Sequence, residues 1–459
     1  MKQEKTLITD FTEGNVMKQL LIFATPLFLS NLLQIVYNMV DMVVVGWAAG
    51  KVGLSAVSVG GDVSHFLTFL AMGFSNAGQV IISQYIGAGR QKEVGRFIGN
   101  MFRFLISCAI VISVGCLFIR EPILSWMNTP KEAWDQTLAY ATTCMIGLVF
   151  IYGYNIVSAV LRGLGDAKHP FRFISIAAVL NVILDIWFVL GMGMGAFGAA
   201  LATVISQAVS FVISVIFLAK RKEMLGFEIN KADFIHMDKE MLTALIKLGI
   251  PMAIKNASVQ FTKLFVNSWI NSYGVAVSAV AGIASKFASV SNLASNSVNT
   301  AGSSMVGQNI GAGKYKRVPR IMACVFIITF TITTILTAAV LMFPKEIFGI
   351  FTKEADVLAV CMEYLPIAVL VFFGSACRAP SNALINGSGN YKVNFAVAML
   401  DGFVMRIGLS VLFGLVLDMK YIGFWLGDAC AGFTPMVIAI FYYLSGTWKT
   451  RKYAVKGSK

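Results

Sequence analysis

Two aspartates lie inside long apolar runs of this chain. Asp41 sits in "YNMVDMVVVG" and Asp185 in "LNVILDIW", with Asn181 four positions before Asp185. Residues four apart share one face of a helix, so Asn181 and Asp185 would present an amide and a carboxylate side by side. Thr203, in "LATVISQ", can add a hydroxyl. Two carboxylates, an amide oxygen and a hydroxyl are hard oxygen ligands, suited to a proton or to a cation such as Na+. Ionisable groups in a hydrocarbon environment are penalised by several kcal/mol, which makes each of them a candidate for function. The competing reading is that each aspartate caps a broken helix or faces a water-filled vestibule.

The second half carries a different set. Lys255 and Lys263 lie in "PMAIKNASVQFTKLFVN", Lys286 in the next apolar run, and Arg378 and Arg406 further on, with Glu363, Asp401 and Asp428 as partners at hand. One reading makes these structural ion pairs, and the other makes them a polar cavity wall that tunes substrate charge. Asp401 and Arg406 are five apart on one helix, so a direct pair is not assured by spacing. Asp62 and His65 fall near the expected outer end of a span, where a solvated mouth accounts for them. His169 and His236 fall in polar loops. There is no HExxH, no Ser-His arrangement suggests an intramembrane hydrolase, and no Walker lysine surrounds the Gly-Ala-Gly turns, so neither an enzyme nor direct use of ATP is expected.

The elements that hold these residues follow from composition. The chain of 459 residues is 57% hydrophobic and 13% charged, with a mean hydropathy of +0.75. Soluble domains carry about 25% charged residues. A bilayer core needs roughly 20 apolar residues per helix. Twelve runs qualify. They start near Val16, Val52, Phe97, Ala133, Phe171 and Ala196, and then near Met241, Val277, Pro319, Val357, Val393 and Tyr421. The fold class expected is an all-α polytopic membrane protein. A polar opening, "MKQEKTLITDFTEGN", precedes the first run without a small-residue cleavage site, so that run is expected to be a retained span. The seven cysteines are scattered, mostly through apolar runs, and read as small apolar residues.

The chain repeats itself. "QYIGAGRQKEV" begins at Gln84 and "QNIGAGKYKRV" at Gln308, 224 positions apart. "LRGLGDAK" from Leu161 matches "INGSGNYK" from Ile385 at the same spacing, and Pro26 matches Pro251. Each half therefore has six spans. Six is even, so both halves enter the membrane the same way, and a pseudo-two-fold axis along the membrane normal is expected to relate the two lobes. The expected organisation is an N-terminal lobe over 1–222, a cytoplasmic linker over 223–239, a C-terminal lobe over 240–448 and a basic cytoplasmic tail over 449–459. If the N-terminus is cytoplasmic, the outer loops hold only Lys51, Arg120, Lys131, Lys345, Lys353 and Lys420, while most other basic residues lie inside. The positive-inside rule then puts both termini in the cytoplasm. The formal charge of +14 follows from topology and lipid contact, and with no basic soluble domain a nucleic-acid partner is not expected.

"LITDFTEGN", "KQLLIFATPLFLSNLLQIVYNMVDMVVVGW", "SQYIGAGR", "LRGLGDAKHP", "LNVILDIWFVLG" and "GQNIGAGK" resemble the multidrug and toxic compound extrusion (MATE) family along essentially the whole chain. The resemblance implies a cell-membrane antiporter with two six-helix lobes, exporting organic, often cationic, compounds in exchange for H+ or Na+. No other cofactor is implied, and the expectation is a monomer that meets drug-like small molecules and membrane lipid. The family's N-lobe cation site maps onto Asp41, Asn181, Asp185 and Thr203. Tyr37, Gln34, Lys255, Gln260, Lys263 and Arg378 are expected to line the cavity, and Pro26 to act as a hinge. The family's other site uses an acidic residue on span seven. Here that span offers Lys255, Gln260 and Lys263 instead, which favours coupling through the N-lobe. The alternatives are a lipid-linked precursor flippase of the same superfamily, favoured by Lys255, Lys263 and Arg378 and opposed by Asp41 and Asp185, and a channel or scaffold.

Overall fold

Run length and helix geometry together set the number of spans. The structure, a computed structural model, describes residues 7–221, 233 and 237–449. Among these there is no strand, and eleven helices are long and apolar enough to cross a membrane. The first, Val16–Gly87, has 72 residues. At 1.5 Å per residue that is about 108 Å, more than three bilayer cores. It breaks at Gly50, whose φ of 58° and ψ of −151° leave the helical region and are open to a residue without Cβ. The break yields α1 (16–49) and α2 (51–87), and with them twelve spans. The rest are α3 (Gln91–Phe118), α4 (Trp134–Gly163), α5 (Lys168–Gly191), α6 (Gly195–Lys220), α7 (Lys239–Asn271), α8 (Val275–Gly311), α9 (Val318–Met342), α10 (Ala355–Gly387), α11 (Tyr391–Val416) and α12 (Lys420–Leu444). The protein is thus a multi-pass, all-α membrane protein.

The repeated phrases are helix stops. Gly89 and Gly313 take φ of 70° and 72°, and the next N–H reaches back five residues: Arg90 to the Tyr85 carbonyl and Lys314 to the Asn309 carbonyl. This is the left-handed glycine stop that satisfies the last carbonyls of a helix. The other pair of phrases adds a start signal. Gly165 and Gly389 again have positive φ. The Asp166 side chain then accepts from the N–H groups of Lys168 and His169, and Asn390 from those of Lys392 and Val393. Each caps the helix that follows.

The chain divides into two compact units, Met1–Asp10 with Thr25–Gly249, and Phe11–Ala24 with Ile250–Lys459. Helices α1 and α7 each pass from one unit to the other, and each does so one residue before a proline, Pro26 or Pro251. Most of the expected linker (223–239, apart from 233 and 237–239), including His236, lies outside the described residues, as does the tail beyond Lys449.

In the first unit, α6 is rich in small residues. Ala196, Ala199, Ala200 and Ala202 are buried, and a Cβ at Gly147 of α4 would run into Val204. Small residues let helix backbones approach closely in lipid, which brings Thr203 into the bundle interior. In the second unit, the basic tail of the second repeated phrase grips the segment before α1. Lys314 donates to Thr12 and pairs with Glu13 at 3.0 Å, and Arg317 donates to the carbonyls of Phe11, Glu13 and Gly14. Gln308 accepts from the Phe11 N–H, and Asn309 donates to its carbonyl. In the first phrase, Arg90 pairs with Glu93 and lies over the Tyr85 ring.

Candidate functional site

Asp41 on α1, Asn181 and Asp185 on α5, and Thr203 on α6 come together inside the first unit. Asp41 is 5% exposed, Asn181 2% and Asp185 0%. The Asn181–Asp185 pair shares one helix face as its spacing predicts. Asp185 ends the regular part of its helix, and a π-helical turn, Ile186–Gly191, follows directly. Such turns interrupt the hydrogen-bond ladder and concentrate at functional positions. Thr203 donates to Asp41 Oδ2 at 3.5 Å, and Asn181 Nδ2 lies 3.5 Å from the Thr203 hydroxyl oxygen. Both contacts are at the long limit of a hydrogen bond. The two carboxyl groups are electrostatic neighbours. Asp41 Oδ1, Asn181 Oδ1 and both Asp185 oxygens are buried with no hydrogen-bond partner.

Four buried orphan acceptors in one place are unusual, because buried polar atoms are nearly always satisfied. A proton or a small monovalent cation fits them: the donors are all oxygens and at most two carry charge. No group of three His, Cys, Asp or Glu residues suited to a multivalent metal occurs among the described residues. Tyr37 lies beside Asp41 with Tyr154 and Gln207 around it, and Tyr140 is near both carboxylates. Gln207 was legible in principle, four residues after Thr203 on one face of α6. The tyrosines of α4 give no such signal, since aromatic residues are common along the whole bundle. Gln34 is half-buried on α1.

The basic residues divide into two groups. Lys255 donates to the side-chain oxygens of Asn382 and Asn386, each at 3.2 Å. A cavity in the second unit is lined by other residues than Lys255, and Gln260 is exposed. Lys286 and Glu363 are exposed as well, and Glu363 accepts from the Tyr421 hydroxyl. Lys263, Arg378, Arg406 and Asp428 do line that cavity. Arg378 and Arg406 share Asp401 at 3.2 and 3.4 Å, and Arg406 also pairs with Asp428. The pairing of Asp401 with Arg406 departs from the helical expectation for a local reason. Leu400–Met405 is a π-helical turn, in which bonds run from i to i+5 and residues five apart come into register.

The MatE family model matches residues 26–187 and again 251–412. The chain belongs to the MatE family. The two matches cover the two halves that the repeat delimits, and each begins at one of the paired prolines. MatE membership agrees with similarity to the probable multidrug resistance protein YpnP of Bacillus subtilis, 30% identical over 449 residues, which are 96% of this chain and 98% of that one. The fold resembles a MOP superfamily transporter from Pyrococcus furiosus whose binding pocket is described as reversed in polarity, with a TM-score of 0.88 at 22% identity, covering 98% of this chain and 100% of that one. It also resembles a MATE structure in a bent conformation, with a TM-score of 0.84 at 22% identity, covering 95% and 96%.

Proposed function

We propose that this MatE protein is a secondary-active exporter of small organic molecules, including drugs and organic cations, that exchanges them for H+ or Na+ bound at Asp41, Asn181, Asp185 and Thr203. The observation that carries the reading is the set of four buried oxygens without a partner at that place. The name of the Bacillus subtilis relative, a probable multidrug resistance protein, supports the cargo class. An entering cation satisfies the orphan oxygens and removes their charge. Its binding free energy can move the protein between shapes only through a difference in affinity for them. Moving a two-state equilibrium from 1:99 to 99:1 takes about 5.5 kcal/mol, and burying a carboxylate without a counter-charge costs on that scale in membrane. The test is purified protein in vesicles with an imposed pH or Na+ gradient and ethidium as cargo. Gradient-dependent ethidium movement, abolished by collapsing the gradient, is expected. Movement indifferent to both gradients overturns the reading.

The coupling element in this reading is α1. Pro26 cannot donate to the Ile22 carbonyl, so the helix is loosened there, close to where α1 changes unit. A structural neighbour bears the description "bent conformation", which suits a helix with two shapes. Pro26→Ala is expected to lower efflux more than it lowers equilibrium cargo binding. Wild-type values for both would leave the bend dispensable and put coupling elsewhere.

The same reading places both Ile-Gly-Ala-Gly loops and both termini in the cytoplasm. In a background without native cysteines, cysteine at Ala88 or Ala312 is expected to resist an impermeant thiol reagent added to intact cells and to react once the cells are broken. Labelling of one loop but not the other from outside would contradict a parallel duplication.

A further inference from the structure

We propose that the cavity in the C-terminal unit is an anion-binding subsite for a carboxylate or phosphate group. The proposal rests on the exporter reading only in taking the ligand as cargo.

The cavity measures about 90 Å³, space for a few water-sized groups. Its charges do not balance. Asp401 and Asp428 are the acidic groups of the cluster, and each is already engaged. Asp401, whose side chain is 2% exposed, holds Arg378 and Arg406, and Asp428 holds Arg406. Two acids thus offset two arginines. Lys263 is left over on the cavity wall, and among the described residues its ammonium has no ion pair and no hydrogen bond. Lys255 has two amide oxygens and, among the described residues, no direct ion pair, with Asp401 acting on it at longer range. With both lysines protonated, four basic groups face two acids, and Asp401 and Asp428, which act on Lys255 and Lys263, are already shared with the arginines. Isolated charge inside a membrane span costs several kcal/mol, and a bound anion removes that cost.

The donors suit an oxyanion. Lys263 can give three N–H bonds, and Arg378, with its side chain 21% exposed, has N–H groups left beyond the one at Asp401. Ser375 lies 3.1 Å from the Asn292 side-chain oxygen, which leaves the Asn292 N–H₂ to donate. Both line the cavity, as do Trp425 and Tyr364, whose rings pack edge to face at 5.1 Å. The aromatic wall gives a short apolar stem somewhere to lie. The one carboxylate on this wall among the described residues, Asp428, is already paired with Arg406 through Oδ1, so basic groups outnumber acids around the cavity, in contrast to the first unit. The repeat sharpens the difference. At the spacing of 225 that relates Pro26 to Pro251, Asp41 corresponds to Val266 on this same cavity wall.

The test is calorimetric titration of the full-length protein in detergent, without any gradient. The probes are inorganic phosphate, hexyl phosphate, hexanoate and hexyltrimethylammonium. Saturable binding of hexyl phosphate, displaced by hexanoate and not by hexyltrimethylammonium, is expected. Lys263→Met is expected to weaken it by about tenfold or more, the scale of a lost charge-assisted hydrogen bond, and Lys263→Arg to keep it within about threefold. Hexyl phosphate binding more tightly than inorganic phosphate assigns the site to the head of an amphiphile, and equal affinities assign it to a free oxyanion. Both outcomes support an anion subsite. No saturable binding of the three anions, or displacement of hexyl phosphate by the cation as readily as by hexanoate, overturns it. So does unchanged affinity in Lys263→Met that stays monodisperse. If that variant does not fold, the charge selectivity of the wild-type protein decides alone. Because no turnover is involved, failure here leaves ethidium efflux untouched, and failure of efflux leaves anion binding measurable.

Discussion

Asp41→Asn and Asp185→Asn are each expected to lower gradient-driven efflux by more than about tenfold while leaving the protein folded. Asparagine keeps the shape and one oxygen of the carboxylate. It removes the charge that a cation neutralises and the oxygen a proton would occupy. A loss of even 1.4 kcal/mol of differential binding is a factor of ten, and the charge concerned is fully buried, where each uncompensated unit is worth several kcal/mol. Stability should move the other way or not at all. With both acids ionised, Asp185 accepts from no protein donor and Asp41 has one long contact to Thr203, and an asparagine amide at either position can donate to the facing carboxylate, so little attraction is lost. The measurement pairs ethidium efflux from vesicles with thermal melting in detergent. Efflux at wild-type rates in either variant would sink the N-lobe coupling site, and a large drop in Tm would turn the activity loss into a folding effect.

Arg406→Leu is expected to be the most destabilising single change in the C-terminal unit, by about 3–5 kcal/mol. Removing it strips Asp428 of its pairing and leaves the buried Asp401 with Arg378 alone. Truncating one partner of a buried pair costs more than the pair itself was worth, and Lys263, on the same cavity wall as Asp428, offsets only part of the charge left behind because it makes no direct ion pair with it. Arg378→Gln should be milder, because Asp401 keeps Arg406. Glu363→Gln, on an exposed site against Tyr421, should change stability by less than about 1 kcal/mol. Melting curves of the three variants rank them directly. A Tm for Arg406→Leu at or above that of Arg378→Gln would mean that the acids in this cluster do not depend on Arg406.

Hydropathy was enough to fix twelve spans, because a bilayer demands about 20 apolar residues for each crossing and no tertiary contact can waive that. The internal duplication was equally legible. Glycine stops and the caps at Asp166 and Asn390 obey local backbone rules and so recur at fixed spacing. The shared face of Asn181 and Asp185, and the absence of an acid on α7 after Glu240 in its first turn, are also local. Which distant faces meet is not. Asp41 reaches Thr203 across 162 positions of chain, and only the packing of α1, α5 and α6 decides that their oxygens face each other unpartnered. Periodicity left the pairing of Asp401 with Arg406 open, since a π-turn changes which residues align and leaves no mark in hydropathy. It grouped Lys255 with Lys263 as cavity cations, and the tertiary structure gives them different surroundings: Asn382 and Asn386 on α10 accept from one, and the other stands on the cavity wall without a direct ion pair among the described residues, near an Asp428 already held by Arg406. The grip of Lys314 and Arg317 on Phe11–Gly14 was likewise invisible, because a basic loop reads as topology until the segment it holds is seen beside it.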